Sequence, residues 1–245
     1  MPETEIVTTG ERHDLDEQTR AALRGSWPEF IFHDPIVDEY IERVEIYFPR
    51  YDILLLHDGQ VVAGAWGVPI RWDGTIADLP DGYDGALASS VDGHESSVQP
   101  DTLSVMAAAV KPGLRGAGLA GQVLTALRER ATEASLQRVI APVRPTLKSS
   151  YPLIPMEQFA RWTRDDGLHL DPWIRTHQRL GASILAPAER SMIITGTVRE
   201  WEDWTKMAFP QSGGYVVPDA LDLVQIDRAA DSGQYIEQNL WMRHL

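Results

Sequence analysis

The stretch "SVMAAAVKPGLRGAGLAGQVLTALRERA", Ser104 to Ala131, constrains this chain more than any other part of it. An alanine-rich apolar run stops at Lys111-Pro112, passes Gly116, Gly118 and Gly121 within six residues, and continues with apolar residues at helical spacing. That order predicts a buried strand, a tight glycine turn and an amphipathic helix. "RVIAPV", 138 to 143, follows as a second buried strand. Strand, helix, strand implies parallel neighbours joined by a right-handed crossover. A glycine turn at the mouth of a helix exposes consecutive backbone N–H groups at the positive end of the helix dipole, which favours a phosphate there. Gly116 and Gly118 let a ligand approach the backbone with no Cβ in the way, and Arg115 adds a fixed positive charge. A tight strand-to-helix turn with no ligand is the plain structural alternative.

The flanking sequence supplies the rest of a mixed sheet. "EIVTT" reads as a short strand, and Asp14 is placed to cap a helix from about Leu15 to Leu23. In "DPIVDEYIERVEIYF" the residues Ile36, Tyr40, Ile41, Val44 and Phe48 recur at helical spacing between Pro35 and Pro49. "YDILLLHD" and "VVAGAWGVPIRW" then form a hairpin around Asp58-Gly59. From 73 to 101 the composition turns to Gly, Asp, Ser and Pro, which reads as a long loop. After Pro145, prolines punctuate a segment holding a short helix, "PMEQFARWT", and "PWIRTHQRLGA" is a further helix stopped by Gly181. "RSMIITGT" reads as a strand, Thr197 and Glu200 as a capping box, and "LDLVQID" and "QYIEQNLWMRH" as two paired strands. At 245 residues, one domain over 1–245 with long insertions at about 73–101 and 145–175 is expected.

Charge and composition narrow the partners. A formal net charge of −14 repels polyphosphate chains, so nucleic acid is not expected, while an acidic field attracts cationic small molecules such as amines. There is no cysteine, which removes disulfides and a thiolate nucleophile. His33, His57, His94 and His169 have no ligand spacing, so no metal is expected. The N-terminal segment has no apolar core of a signal peptide and no apolar run approaches the length of a membrane span, so the expectation is a soluble, cytoplasmic protein without membrane contact.

Gly116-Ala117-Gly118-Leu119-Ala120-Gly121 satisfies a dinucleotide fingerprint, but it lies behind helices and a hairpin rather than opening a repeat of strands and helices. "VKPGLRGAGLA" instead resembles the signature of the GNAT acetyltransferase superfamily, in which Arg or Gln precedes a Gly-x-Gly/Ala turn. The order of elements resembles that fold as well, an α/β fold with a central mixed sheet flanked by helices. The resemblance implies a transferase that moves an acetyl or short acyl group from CoA to the amine of a small-molecule acceptor by direct attack. It implies that Arg115, Gly116, Ala117, Gly118, Leu119, Ala120 and Gly121 hold the pyrophosphate of acetyl-CoA. The backbone of Ala108, Ala109 and Val110 would pair with its pantetheine arm as an added strand.

The family's usual donor to the departing thiolate is a tyrosine four residues before the glycine ending the late helix. Here that position is His177, and Tyr151 is the other available phenol. The strand "LSVMAAAV" carries no carboxylate to act as base, and Glu95 and Asp101 serve only if the preceding segment folds over the site. Arg144 and Lys148, just past the parallel strand, are candidates for a CoA phosphate or a substrate carboxylate. A chain without these catalytic groups could instead be a sensor that binds acyl-CoA without turnover. Monomer and homodimer are both open.

Overall fold

The computed structural model describes residues 4–244, and its strands pair into one mixed sheet. They are β1 (Thr4–Thr8), β2 (Asp52–His57), β3 (Gln60–Ile70), β4 (Thr102–Val110), β5 (Arg138–Val143), β6 (Ser183–Gly196), β7 (Gly213–Tyr215), β8 (Val224–Asp227) and β9 (Ser232–His244). β1 to β4 run as antiparallel neighbours, and β4 pairs with β5 in parallel. β9 organises the other half. β6 lies along one of its edges, while the opposite edge is divided between β5, against Leu240 to His244, and β8, against Ser232 to Gln234. β7 closes the order beside β8.

The helices are α1 (Asp16–Leu23), α2 (Pro35–Tyr47), α3 (Gly82–Glu95), α4 (Leu119–Glu133), α5 (Met156–Phe159), α6 (Pro172–Arg179) and α7 (Val198–Thr205). Three begin on side-chain caps. Asp34 accepts the Ile36 N–H ahead of Pro35, Asp171 accepts the Trp173 and Ile174 N–H groups ahead of Pro172, and Thr197 with Glu200 forms the expected capping box. α4 buries Leu119, Val123, Leu124, Ala126, Leu127 and Ala131, the i, i+4, i+8 stripe that the periodicity predicts, in the largest apolar cluster. A second cluster gathers Phe30, Ile194, Trp201, Phe209 and Tyr235, and a third seats α1 on Leu54, Leu56 and Val61. No helix among the described residues is long and apolar enough to cross a membrane.

Four local expectations change. The segment 73–101 is not a loop, since α3 occupies its centre and buries Ala86, Leu87, Ser90 and Val91. Three glycines and four serines or aspartates hide that helix from a propensity argument, and packing against α2, β3 and β6 holds it instead. Asp14 caps no helix. It pairs with Arg12 inside short 3-10 turns, and α1 starts with no side-chain cap. β6 begins at Ser183, well before "RSMIITGT", because a register shift between Ala188 and Met192 interrupts its pairing with β9 without ending it. β7, a glycine-rich edge strand of three residues, carries no sequence signal.

The start of α3 is set by one close approach. Gly82 has φ +65°, and a Cβ there would lie 2.2 Å from the Ser191 Cα, so the helix can rest on β6 only where a side chain is missing. The Tyr83 N–H then donates to Ser191 Oγ at 2.8 Å. Gly93, in the last turn of the same helix, has only a Val98 side-chain atom near the position of a Cβ, at 3.8 Å. Gly82→Ala is therefore expected to lose about 1–3 kcal/mol in urea unfolding, whereas Gly93→Ala should be neutral or gain up to about 1 kcal/mol.

Candidate active site

The parallel strands part within three residues. β4 and β5 pair only from Thr102 to Ser104 against Arg138 to Ile140. On the other side of β4 the register slips: Gly67 faces Val105 and Trp66 faces Ala107, so Met106 is an extra residue in the strand. A bulge bends its strand and sharpens its twist, which swings the end of β4 away from β5. Ala108, Ala109 and Val110 stay paired with Ala65, Gly64 and Ala63 of β3, while their edge toward β5 has no strand partner among the described residues. Such an edge offers N–H and C=O groups to an extended polar arm.

At the end of that edge stands the glycine turn. Lys111 to Gly118 are exposed, and Gly116 (φ +88°) and Gly118 (φ +79°) take a backbone conformation that side chains resist. A Cβ on either would meet nothing within 4 Å, so conformation, not crowding by the protein, demands glycine, and the space before the turn is open. Gly118 is the N-cap of α4, and no side chain caps the helix. Leu119, Ala120 and Gly121 therefore present N–H groups with no intrahelical acceptor, next to the exposed Arg115. The turn's own backbone bonds use the N–H groups of Leu114 and Ala117. This mouth can hold a phosphate by geometry and dipole alone.

A buried acidic group adjoins the bulge on the β3 side. The Trp66 ring meets Tyr83 edge-to-face at 6.1 Å, and Tyr83 and Asp84 form the first turn of α3. Asp84 Oδ2 accepts the Ile193 N–H at 3.2 Å, and the Asp84 carboxyl also shares a hydrogen bond with Asp34. Asp34 is fully buried, with Oδ1 on the Ile36 N–H at 2.8 Å and its carboxyl hydrogen-bonded to that of Asp84. Burial raises both carboxyls above their usual range, and the proximity of Asp34 adds to the rise at Asp84, which reaches about 8. At neutral pH the pair therefore retains a proton.

Behind it a polar chain fixes the framework. Ser191 Oγ donates to Asn239, Asn239 Nδ2 donates to Glu237 at 3.0 Å, and the fully buried Glu237 also receives Tyr235 OH and the Arg144 guanidinium at 2.9 Å. Every carboxylate oxygen of Glu237 is thus satisfied, and its charge is balanced by Arg144.

The remaining nominated residues lie elsewhere. His177 is not on an exposed helix face: it is buried, with Nδ1 2.9 Å from His244 Nε2, and burial depresses it to about 3 and His244 to about 4. His244 pairs with Val139, which in turn faces Leu103, so these imidazoles belong to the closed end of the β4–β5 fork. Tyr151 is 38% exposed in the turn after β5 and packs edge-to-face on Trp162 at 4.8 Å. Arg144 is engaged by Glu237, and Lys148 is buried with Nζ on the carbonyls of Tyr151 and Leu221, so both cations are structural. Glu95 binds Arg43 and Tyr47, and Asp101 binds Arg71 and Arg138 at the start of β4. Asp34, Tyr83, Asp84 and Glu237 escape a sequence search because no spacing joins them, and Asp34 reads only as a residue ahead of a helical proline.

The two buried systems pull stability in opposite directions with pH. A carboxyl whose folded pKa lies near 8 rather than 3.8 contributes stability below pH 4 that is lost as pH rises toward 8. Histidines depressed from 6.5 contribute stability above that value, which is lost on acidification toward 4 and 3. Between pH 6.5 and 8 the carboxyl effect stands alone. Chemical denaturation of the wild type should show stability falling across that window, by at most about 1.4 kcal/mol per pH unit, and Asp84→Asn should flatten the fall.

No protein-family model matches the chain. The arginine N-acetyltransferase avaD of Aspergillus versicolor is 30% identical over 275 aligned residues, spanning 99% of this chain and 94% of that protein. Among solved structures, the loading GNATL domain of CurA from Lyngbya majuscula superposes with a TM-score of 0.63 at 15% identity, over 99% of this chain and 97% of that one. The GNAT-like decarboxylase GphF in complex with isobutyryl-CoA superposes with a TM-score of 0.57 at 14% identity, over 99% of this chain and 98% of that one. With an amide-lined turn, a forked pair of parallel strands and a near-full-length relative of this kind, the chain belongs to the GNAT superfamily of N-acetyltransferases.

Proposed function

We propose that this enzyme transfers the acetyl group of acetyl-CoA to the amine of a small cationic acceptor of the arginine type. The observation that carries the cofactor half is the uncapped mouth of α4 opening beside the unpaired edge of β4. In this reading the N–H groups of Gly116, Gly118, Leu119, Ala120 and Gly121 receive the pyrophosphate, with Ala117 closing the turn through its bond to the Leu114 carbonyl and Arg115 adding charge, and Ala108, Ala109 and Val110 receive the pantetheine arm. The open space before the glycines and the free strand edge fit such a molecule. A net charge of −14 and the arginine N-acetyltransferase activity of the Aspergillus relative support a cationic acceptor.

Bound there, acetyl-CoA supplies an acyl carbon activated by a thiol leaving group. The chain's work is to hold the acceptor nitrogen against that carbon, let the ammonium proton leave, and return a proton to sulfur as the C–N bond replaces the C–S bond. Of the two groups nominated for the last task, Tyr151 keeps a solvent-reachable phenol just past β5. His177 is neutral at pH 7 and sits behind the closed end of the fork. We assign the proton return to Tyr151.

Isothermal titration should show acetyl-CoA binding to the wild type, weakened at least about 10-fold by Arg115→Glu or Gly118→Val, a loss of roughly 1.4 kcal/mol or more. Absent or unaltered binding would remove the proposal. Tyr151→Phe is expected to lower kcat about 100-fold with little change in KM for acetyl-CoA. An equal loss in His177→Asn, with none in Tyr151→Phe, would move the role to the histidine.

A further inference from the structure

We propose that Lys148 and Trp162 are positioning residues for Tyr151, one fixing its backbone and the other its ring, so that an exposed phenol is presented in a single orientation. This rests on the assignment of the proton return to Tyr151. The backbone of Tyr151 is fully bonded. Its N–H donates to the Lys148 carbonyl at 2.8 Å, and its carbonyl accepts both Lys148 Nζ at 3.0 Å and the Ile154 N–H at 3.1 Å. The ring meets Trp162 edge-to-face at 4.8 Å, while 38% of the residue stays exposed. A tyrosine that served only as surface would need none of this, since a loop residue in contact with water can satisfy its backbone there.

The Lys148 ammonium carries the argument. It is 2% exposed, its bonds go to the carbonyls of Tyr151 and Leu221, and no carboxylate pairs with it among the described residues. Burial pulls its pKa below the ordinary lysine value. A buried ammonium without a carboxylate costs free energy that an apolar side chain would not, so the two bonds are what the lysine supplies. They join the turn after β5 to a segment 73 residues further along the chain. The Leu221 N–H donates in turn to Tyr235 OH at 2.8 Å, and that hydroxyl donates to Glu237 at 3.0 Å, which braces the Tyr151 backbone against β9.

The support for the ring is built in the segment that follows. Trp162 packs on the fully buried Phe159 at 5.1 Å, and its backbone is bonded to the Phe159 carbonyl and the Leu170 N–H. His169 accepts the Asp171 N–H on Nδ1, so its Nε2 carries the hydrogen that bonds the Phe159 carbonyl. Asp171 accepts the N–H groups of Leu147, Trp173 and Ile174, tying α6 to the turn that holds Lys148. The bonds within 145–175 thus converge on the two residues that grip Tyr151. Proton transfer needs a short, aligned hydrogen bond, and a displacement of about 1 Å costs about 100-fold in rate.

The test is a double-mutant cycle on kcat with arginine as acceptor, combining Lys148→Met or Trp162→Leu with Tyr151→Phe. Each positioning substitution alone should lower kcat about 10-fold with KM for acetyl-CoA unchanged, and should cost less than about 2-fold more once Tyr151 is replaced. A loss undiminished in the Tyr151→Phe background, or no loss from either single substitution, overturns the proposal. The half-buried Trp162 keeps the cycle readable where Lys148→Met fails to fold. Fluorine NMR of protein labelled with 3-fluorotyrosine reads the phenol without turnover. Of the resonances from seven tyrosines, the one lost in Tyr151→Phe belongs to Tyr151. Lys148→Met and Trp162→Leu should each shift or broaden it, and a resonance unmoved in both overturns the proposal. A moved resonance, with Tyr151→Phe as active as the wild type, sinks the assignment of the proton return and leaves the grip on the phenol standing.

Discussion

The structure turns on the parting of two parallel strands. Pairing between β4 and β5 lasts three residues, and the extra residue at Met106 bends β4 away just beyond them. In a closed sheet the backbone polar groups of Ala108 to Val110 would be consumed by a neighbour. Here they are left free on one edge while β3 supports the other. The fork is stable because its far sides are held: β3 covers β4 over most of its length, and β9 covers all but one residue of β5. An opening in the middle of a sheet, rather than at its rim, gains rigid walls on both sides.

Around that opening the charges sort by sign. At the α4 end, uncapped N–H groups and Arg115 present a positive face that needs no titratable group, since a helix mouth is positive at every pH. On the β3 side, Asp34 and Asp84 are hydrogen-bonded to one another, and burial raises both carboxyls above their usual range. The positive face at the mouth of α4 suits an anionic group such as a diphosphate.

Buried polar groups divide between those that are satisfied and those that are not. Glu237 is surrounded by Arg144, Tyr235 and Asn239, and through Ser191 it seats the backbone of Tyr83 at the head of α3. This chain ties β5, β6, β9 and α3 together, a role for which a fully paired carboxylate is suited. Asp34 and Asp84 are the contrast: with no cation beside them, the two carboxyls satisfy each other only while a proton is shared between them.

Much of the architecture was legible because local rules act on neighbours in the chain. The apolar period of α4, Pro35 in the first turn of α2, the Asp58-Gly59 hairpin and the Thr197–Glu200 box are all decided within about ten residues. The glycine turn was legible for the same reason, since positive φ at Gly116 and Gly118 is a demand of the backbone itself. What only the tertiary structure decided involves distance along the chain. α3 forms because β6 and α2 bury its small residues, the bulge at Met106 exists only in relation to Trp66 and Gly67, and His177 turned inward onto a histidine at the last described position. Asp34 and Asp84 lie fifty residues apart on different helices, and no periodicity relates them. Their meeting is fixed by the long-range packing of α2 against α3.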